Sequence, residues 1–391
     1  MTTANVPNSS VKIYYNLEAM RGFCAFMVAF YHIPWASSVN YLPFVHNAWL
    51  FVDFFFVLSG FVIAYSYCRP STRAFDLSTF MVRRFFRLYP LHLLMLVLSF
   101  VLLIARDVVV PALSNMAPRG DFTGEFWWAF LNNITLTHSL GLTRLATLNV
   151  PSWSISAEFW TYLTFAGCCL LFATAARRVA AMFTIGMAAL ALLLYLNWPN
   201  GLATPIYFGF LRCLASFGVG TAVWLVAHHL PASLPSRGLD AGYALLTIVI
   251  VLLLGLPLRE STANVAVIPL FAVVIYLFAF DEGSLVKRAL ETRPMRALGE
   301  WSYSIYMVHA LWTSLLGFVL NRFYSGTTDI PAMGFRLAVP LWLGDLFVVG
   351  YVIVVLATSA ATFAWVEKPW REYGREYGRR VAARAMAAMG A

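Results

Sequence analysis

Charge is scarce in this chain of 391 residues: Asp, Glu, Lys and Arg make up 12%, against 61% hydrophobic residues. So little charge excludes a single water-soluble core, which could not enclose that much apolar surface. Cysteine is scarce too. Cys24, Cys68, Cys168, Cys169 and Cys213 lie in or beside apolar runs without metal-ligand spacing, so they read as small core residues and no metal site is expected. Strand-length alternation is missing, which sets aside an outer-membrane barrel. No cleavable leader is expected, since residues 1–12 are polar and the first apolar run carries Arg21 and His32. Low-complexity segments, insertions of soluble-domain size and a convincing inverted repeat are also lacking, and the last is the usual mark of secondary transporters.

What is present is a series of long uncharged runs, and these predict an all-α polytopic membrane protein. Ten spans are expected, at about 16–36, 49–67, 89–105, 153–175, 179–197, 206–229, 240–258, 263–280, 300–321 and 340–365. A net charge of +9 does not point to nucleic acid, because the basic residues cluster in short segments between the runs. With the N-terminus inside, Lys12, Arg21, Arg69, Arg73, Arg83, Arg84, Arg87, Arg177, Arg178, Arg237, Lys287, Arg288, Arg293, Arg296 and the tail from Lys368 fall inside. Only Arg106, Arg119, Arg144, Arg259, Arg322 and Arg336 fall outside. Both termini are therefore expected in the cytoplasm. The connection 106–152 falls outside and has the length of a loop that binds something or covers a site, while its Phe126-Trp127-Trp128 equally suits an interfacial anchor. Residues 1–370 read as the transmembrane domain and 371–391 as a basic cytoplasmic tail attracted to anionic membrane lipid.

Five stretches carry candidate chemistry. In the first run, Glu18, Arg21 and His32 lie on or near one helical face, with His32 about 16 Å along the axis from Arg21. An ionisable ring at that depth is costly unless it faces protein or a wet cavity. Histidine suits a general base, which a carboxylate or guanidinium would orient; a structural histidine bonded to a neighbouring helix is the bland alternative. The second stretch, Val52 to Phe61, holds Asp53, a candidate partner for His32 or an interfacial residue, and the small pair Ser59-Gly60, suited to close helix approach. In the third, Arg83-Arg84-Phe85-Phe86-Arg87, the spacing puts guanidinium groups on a shared face in a fork that suits phosphate, or else makes a positive-inside anchor. In the fourth, Ser154 and Glu158 stand one turn apart, so that hydroxyl and carboxylate can meet, although an N-cap and a first-turn acid are equally compatible. No Gly-x-Ser-x-Gly elbow surrounds Ser154. The fifth stretch, Leu298 to His309, places Ser302, Tyr306 and His309 at helical spacing as a polar stripe in an apolar span, which equally suits interhelical hydrogen bonding. Glu367-Lys368-Pro369 reads as a helix terminator.

Taken in this order, the stretches resemble the acyltransferase-3 family of bacterial integral-membrane acyltransferases over about residues 12–370. The resemblance implies an O-acyltransferase of the bacterial cytoplasmic (inner) membrane. It would move an acyl group, usually acetyl, from cytoplasmic acyl-CoA to a hydroxyl of a carbohydrate acceptor on the outer side, such as O-antigen or exopolysaccharide. Arg21 and His32 match the family's first-helix Arg and His. Arg84 and Arg87 match its Arg-x-x-Arg contact for CoA phosphates, with Arg83 beside them. Ser154 and Glu158 match its Trp-Ser-x-x-x-Glu stretch, and Ser302, Tyr303, Tyr306 and His309 its late Ser-Tyr-x-x-Tyr-x-x-His stretch. Glu18 stands where many relatives have Asp, and Ala19 where Gly is frequent. The hydrolase-like extracytoplasmic domain of some relatives has no counterpart here, so transfer is expected to finish in the membrane domain or on a separate partner. The rival expectation is a carrier or sensor of the same fold that moves or binds a sugar or anion without acyl transfer.

Overall fold

The structure, a computed structural model, describes residues 14–68, 75–113, 122–144, 148–204, 206–230, 236–330 and 333–389. Helix α1 (Tyr15–Tyr31) stops short of the expected 16–36. Pro34 is the cause: it cannot donate to the helical ladder, and it disfavours the helical conformation of Ile33 before it. His32 is thus the C-cap of α1, not a mid-span residue. Helix α2 (Phe51–Tyr67) returns beside it. Helix α3 (Leu77–Ile104) begins well before the expected 89–105, because the Asp76 carboxylate accepts from the backbone N–H of Ser78 at 3.0 Å and Thr79 at 3.3 Å. Arg83, Arg84 and Arg87 consequently sit on α3 itself.

A π turn leads from α3 into the short α4 (Val110–Leu113), and the long connection carries α5 (Gly124–Ile134), on which Trp127 and Trp128 are exposed. Then follow α6 (Trp153–Leu171), α7 (Ala175–Leu196), α8 (Gly209–His229), α9 (Ser236–Leu254) and α10 (Val267–Phe280). Two short helices, α11 (Leu285–Leu290) and α12 (Arg293–Glu300), precede α13 (Ser302–Leu320). Strands β1 (Thr327–Ile330) and β2 (Gly334–Leu337) make an antiparallel hairpin, which hydropathy does not reveal. Helix α14 (Leu341–Thr362) passes through a π turn into α15 (Lys368–Met389). The wide turn loosens the ladder just where Pro369 has no N–H to give, so Glu367-Lys368-Pro369 does not end the helix.

Every expected span contains a helix. Among the described residues, seven helices are long and apolar enough to cross a membrane: α2, α3, α7, α8, α10, α13 and α14. The shorter or more polar α1, α6 and α9 are not among them, and of these three α1 and α6 turn polar residues into an interior cavity. The bundle is closed by backbone contact at glycines. A Cβ on Gly60 would lie 2.1 Å from the Phe217 carbonyl oxygen, and one on Gly220 would lie 1.9 Å from that of Val57, so α2 and α8 touch main chain to main chain. Helix α15 does not hang free as a tail. Trp370 stacks on Phe86 with centroids 5.7 Å apart, and Thr79 Oγ1 donates to the Gly378 carbonyl at 3.0 Å, which fastens α15 along α3. All five cysteines are buried and free of disulfides.

Substituting Gly220→Ala should therefore force α2 and α8 apart and cost about 1–3 kcal/mol. Gly167→Ala, where an added Cβ meets nothing within 4 Å, should leave stability unchanged. Thermal unfolding of both variants in detergent, followed by tryptophan fluorescence, checks the contrast.

Candidate active site

Two cavities face opposite ends of the bundle. The first, of about 220 Å³, lies at the arginine end and is lined by Glu18 and Arg21 of α1, Ser59 of α2, Arg84 and Arg87 of α3, Ser154 and Glu158 of α6, and Ser302, Tyr303 and Tyr306 of α13. The second, of about 390 Å³, is lined by His32, Trp49, Pro151, Trp153, Asn197, Asn200, Arg212, Arg259 and Tyr306. Val52 and Tyr306 are the two residues common to both linings, and they form the partition between them. Tyr306 is held in place by donating its hydroxyl to the Pro151 carbonyl at 3.2 Å. A third cavity, of about 650 Å³, also touches His32 and is lined by Arg106, Asp107, Thr313, Ser314 and Arg322 among others.

Most of the expected site residues are brought together at the arginine end. The helical spacing of α3 turns Arg84 and Arg87 into the first cavity with Arg21, which stands in electrostatic contact with Arg87, Glu18 and Glu158. Arg84 lies over the rings of Phe80 at 5.7 Å and Tyr162 at 5.4 Å. Arg83 does not join the fork. Its Nε is buried beside Gly378 of α15, without a hydrogen-bond partner.

Glu158 does not meet Ser154. Its carboxylate accepts from Ser59 Oγ at 2.7 Å and from Tyr162 Oη at 2.5 Å, while Ser154 Oγ donates to the Pro151 carbonyl at 3.0 Å. Ser59 was expected to matter for packing; Gly60 does the packing and Ser59 the bonding. Tyr303 donates its hydroxyl to the Leu88 carbonyl at 2.6 Å, which ties α13 to α3.

His32 stands apart from this group. Glu18 and Arg21 line the other cavity, so neither orients the ring; the Val28 carbonyl, one turn back, does so by accepting from Nδ1 at 2.8 Å. A carbonyl can only accept, so Nδ1 carries the hydrogen and Nε2 of the neutral ring keeps a lone pair, the tautomer that general-base chemistry needs. The ring also lies 5.1 Å from that of His309, whose two nitrogens are buried without hydrogen-bond partners.

Asp53 does not partner His32 either. It is buried in an ion pair with Arg212, whose Nη2 lies 2.6 Å from Oδ2, and Ser216 Oγ donates to Oδ1 at 2.9 Å. The same guanidinium donates to the carbonyls of Leu202 at 3.1 Å and Trp49 at 3.3 Å and lies over the rings of Trp49 and Trp153. Arg212 is absent from the residues singled out by sequence, although a lone guanidinium inside the expected span 206–229 is the signal that would have found it. Tyr162, one turn beyond Glu158, was legible in the same way.

Comparison with known proteins adds a family. A family model described as an acyltransferase domain matches residues 14–364. The chain is similar to the O-acetyltransferase OatA of Staphylococcus aureus (strain NCTC 8325 / PS 47), at 24% identity over 390 residues, covering 92% of this chain and 57% of that protein. It is also similar to the acyltransferase MdmB of Streptomyces mycarofaciens, at 27% identity over 284 residues and 66% of each chain. The chain thus spans little more than half the length of OatA. No solved structure matches it.

Replacing Asp53 by Ala leaves the Arg212 charge buried without its carboxylate and should cost about 3–5 kcal/mol. The double change Asp53→Ala with Arg212→Met should recover most of that loss. Thermal midpoints of the single and double variants give the comparison.

Proposed function

The chain belongs to the acyltransferase family that this domain model describes, and on that premise we propose that it is a membrane O-acyltransferase of the bacterial cytoplasmic membrane. It takes an acetyl group from acetyl-CoA on the cytoplasmic side and delivers it to a hydroxyl of a cell-envelope carbohydrate on the outer side. The observation that carries this reading is the pair of opposed cavities, one holding Arg21, Arg84 and Arg87, the other holding His32, parted by Val52 and Tyr306.

In this mechanism Arg84 and Arg87, with Arg21 beside them, hold the phosphates of the donor through charge-assisted hydrogen bonds. The extended arm of CoA separates its phosphates from its sulfur, so a base about 16 Å along α1 from Arg21 is reasonably placed for the thioester once the arm has passed Val52 and Tyr306. Nε2 of His32 takes the proton of the acceptor hydroxyl. The oxygen attacks the thioester carbonyl, the C–S bond breaks, and the departing thiolate recovers the proton from the imidazolium. Glu158, held by Ser59 and Tyr162, keeps a fixed carboxylate among the arginines of the donor cavity.

The same partitioned cavities would suit a carrier that passes a sugar or anion between two sides, and the two readings differ in one product. An acyltransferase releases free thiol from acetyl-CoA in step with acceptor acetylation; a carrier releases none. His32→Ala should lower acetyl transfer by at least about 100-fold without changing donor affinity. Arg84→Gln should raise the KM for acetyl-CoA about tenfold with a smaller effect on kcat. Transfer by His32→Ala at the wild-type rate rejects the mechanism, and mass spectrometry of envelope polysaccharide from cells with and without the protein identifies the acceptor by the loss of one acetyl group.

A further inference from the structure

The hairpin end of the bundle carries cations that acyl transfer, as described, leaves without a task. Strand β2 is bonded to the segment after His32: the Leu337 N–H donates to the Pro34 carbonyl at 2.9 Å, and the Ala36 N–H to the Leu337 carbonyl at 3.0 Å. This docking brings Arg336 into electrostatic contact with His32, Tyr31 and Arg259. Arg336 spends Nη1 on the carbonyls of Met333 at 2.7 Å and Phe335 at 3.1 Å, while its Nε is buried with no partner. Arg259 lines the His32 cavity and donates to Tyr31 Oη at 3.2 Å.

Three buried or half-buried guanidinium groups have a carboxylate of the chain as partner, Arg212 with Asp53, Arg106 with Asp107 and Arg371 with Glu367, whereas among the described residues the half-buried Arg21, Arg84 and Arg87 of the donor cavity, and Arg83 beside it, have none within ion-pair distance. Among the described residues no carboxylate comes within ion-pair distance of Arg336 or Arg259. Glu260, next to Arg259 in sequence, and Asp329, paired with Phe335 on the facing strand, are exposed. Burial first, and the Arg259 charge after it, hold the Arg336 guanidinium below the ordinary arginine value. Two like charges beside the imidazole, with their hydrogen-bonding capacity incompletely used, describe half of an ion pair.

We infer that the acceptor is an anionic carbohydrate, whose carboxylate or phosphate is gripped by Arg336 and Arg259 so that a neighbouring hydroxyl is presented to Nε2 of His32. Guanidinium forks match both anions in geometry, and neutral hexoses offer neither. The role of this site as an acceptor site rests on the acyl-transfer reading; the anion preference itself does not.

The test uses the full chain in lipid nanodiscs with three probes: a uronic acid trisaccharide, its carboxyl-reduced neutral counterpart and a trisaccharide monophosphate. Binding is read by tryptophan fluorescence, to which Trp49 and Trp153 of the same cavity contribute. At least one anionic probe should bind about tenfold tighter than the neutral one, and which of them does so distinguishes carboxylate from phosphate. Arg336→Gln and the exposed Arg259→Gln should each reduce the preference to about twofold or less, and Arg336→Lys should retain part of it. Arg380→Gln, on the exposed face of α15, should leave it whole. Equal binding of all three probes overturns the inference, and so does loss of the preference in Arg380→Gln, which would mark a general charge effect. Thiol release from acetyl-CoA, measured on the same preparation, judges the acyl-transfer reading separately: its absence with the preference intact removes the enzyme and leaves the anion site.

Discussion

The buried pair of Asp53 and Arg212 is the constraint on which the His32 cavity depends. Taking both charges out of water is expensive, and their attraction offsets that cost only when the remaining N–H groups find partners. Here they do: the guanidinium meets both carboxylate oxygens, two backbone carbonyls and the faces of two indole rings. One side chain of α8 thereby fixes the start of α2, the start of α6 at Trp153 and, at Leu202, the connection between α7 and α8. Those pieces form much of the wall opposite His32. The glycine contacts of α2 with α8 supply the complementary condition, since the pair closes only if the two backbones meet.

The division into two chambers follows from the same packing. Charged groups gather where α1, α3, α6 and α13 turn their least apolar faces inward, and aromatic rings and amides gather around His32. Between them stand Val52 and Tyr306, the latter donating its hydroxyl to the Pro151 carbonyl and packing its ring against those of Phe55 and His309. His309 is buried beside Tyr306 and His32, its two nitrogens without hydrogen-bond partners.

Local periodicity made much of this legible. Helices occur in each of the expected spans, Arg84 and Arg87 share a cavity as their spacing required, and Gly60 lets a neighbouring backbone approach. What escaped were relations between distant parts of the chain. Nothing around Ser59 announces that its hydroxyl bonds Glu158, nothing around Asp53 names Arg212, and the strands carrying Arg336 are four residues each in a loop between long helices. Some misses were readable in principle. Pro34 announces the end of α1, and with it the position of His32 at a helix terminus, where a backbone carbonyl aims the ring instead of Arg21 or Glu18.

The docking of β2 on residues 34–36 also orders events in time. Trp35 donates its indole N–H to the Gly344 carbonyl across 309 residues of sequence, and the hairpin bonds to Pro34 and Ala36 from almost as far. Contacts that remote form late, because the intervening chain must exist and be threaded before its ends can meet. The surroundings of the imidazole therefore stay incomplete until the penultimate long helix has left the ribosome. A chain still lacking α13 also lacks Ser302, Tyr303 and Tyr306 of the arginine chamber, so both chambers wait on the same late stretch of synthesis.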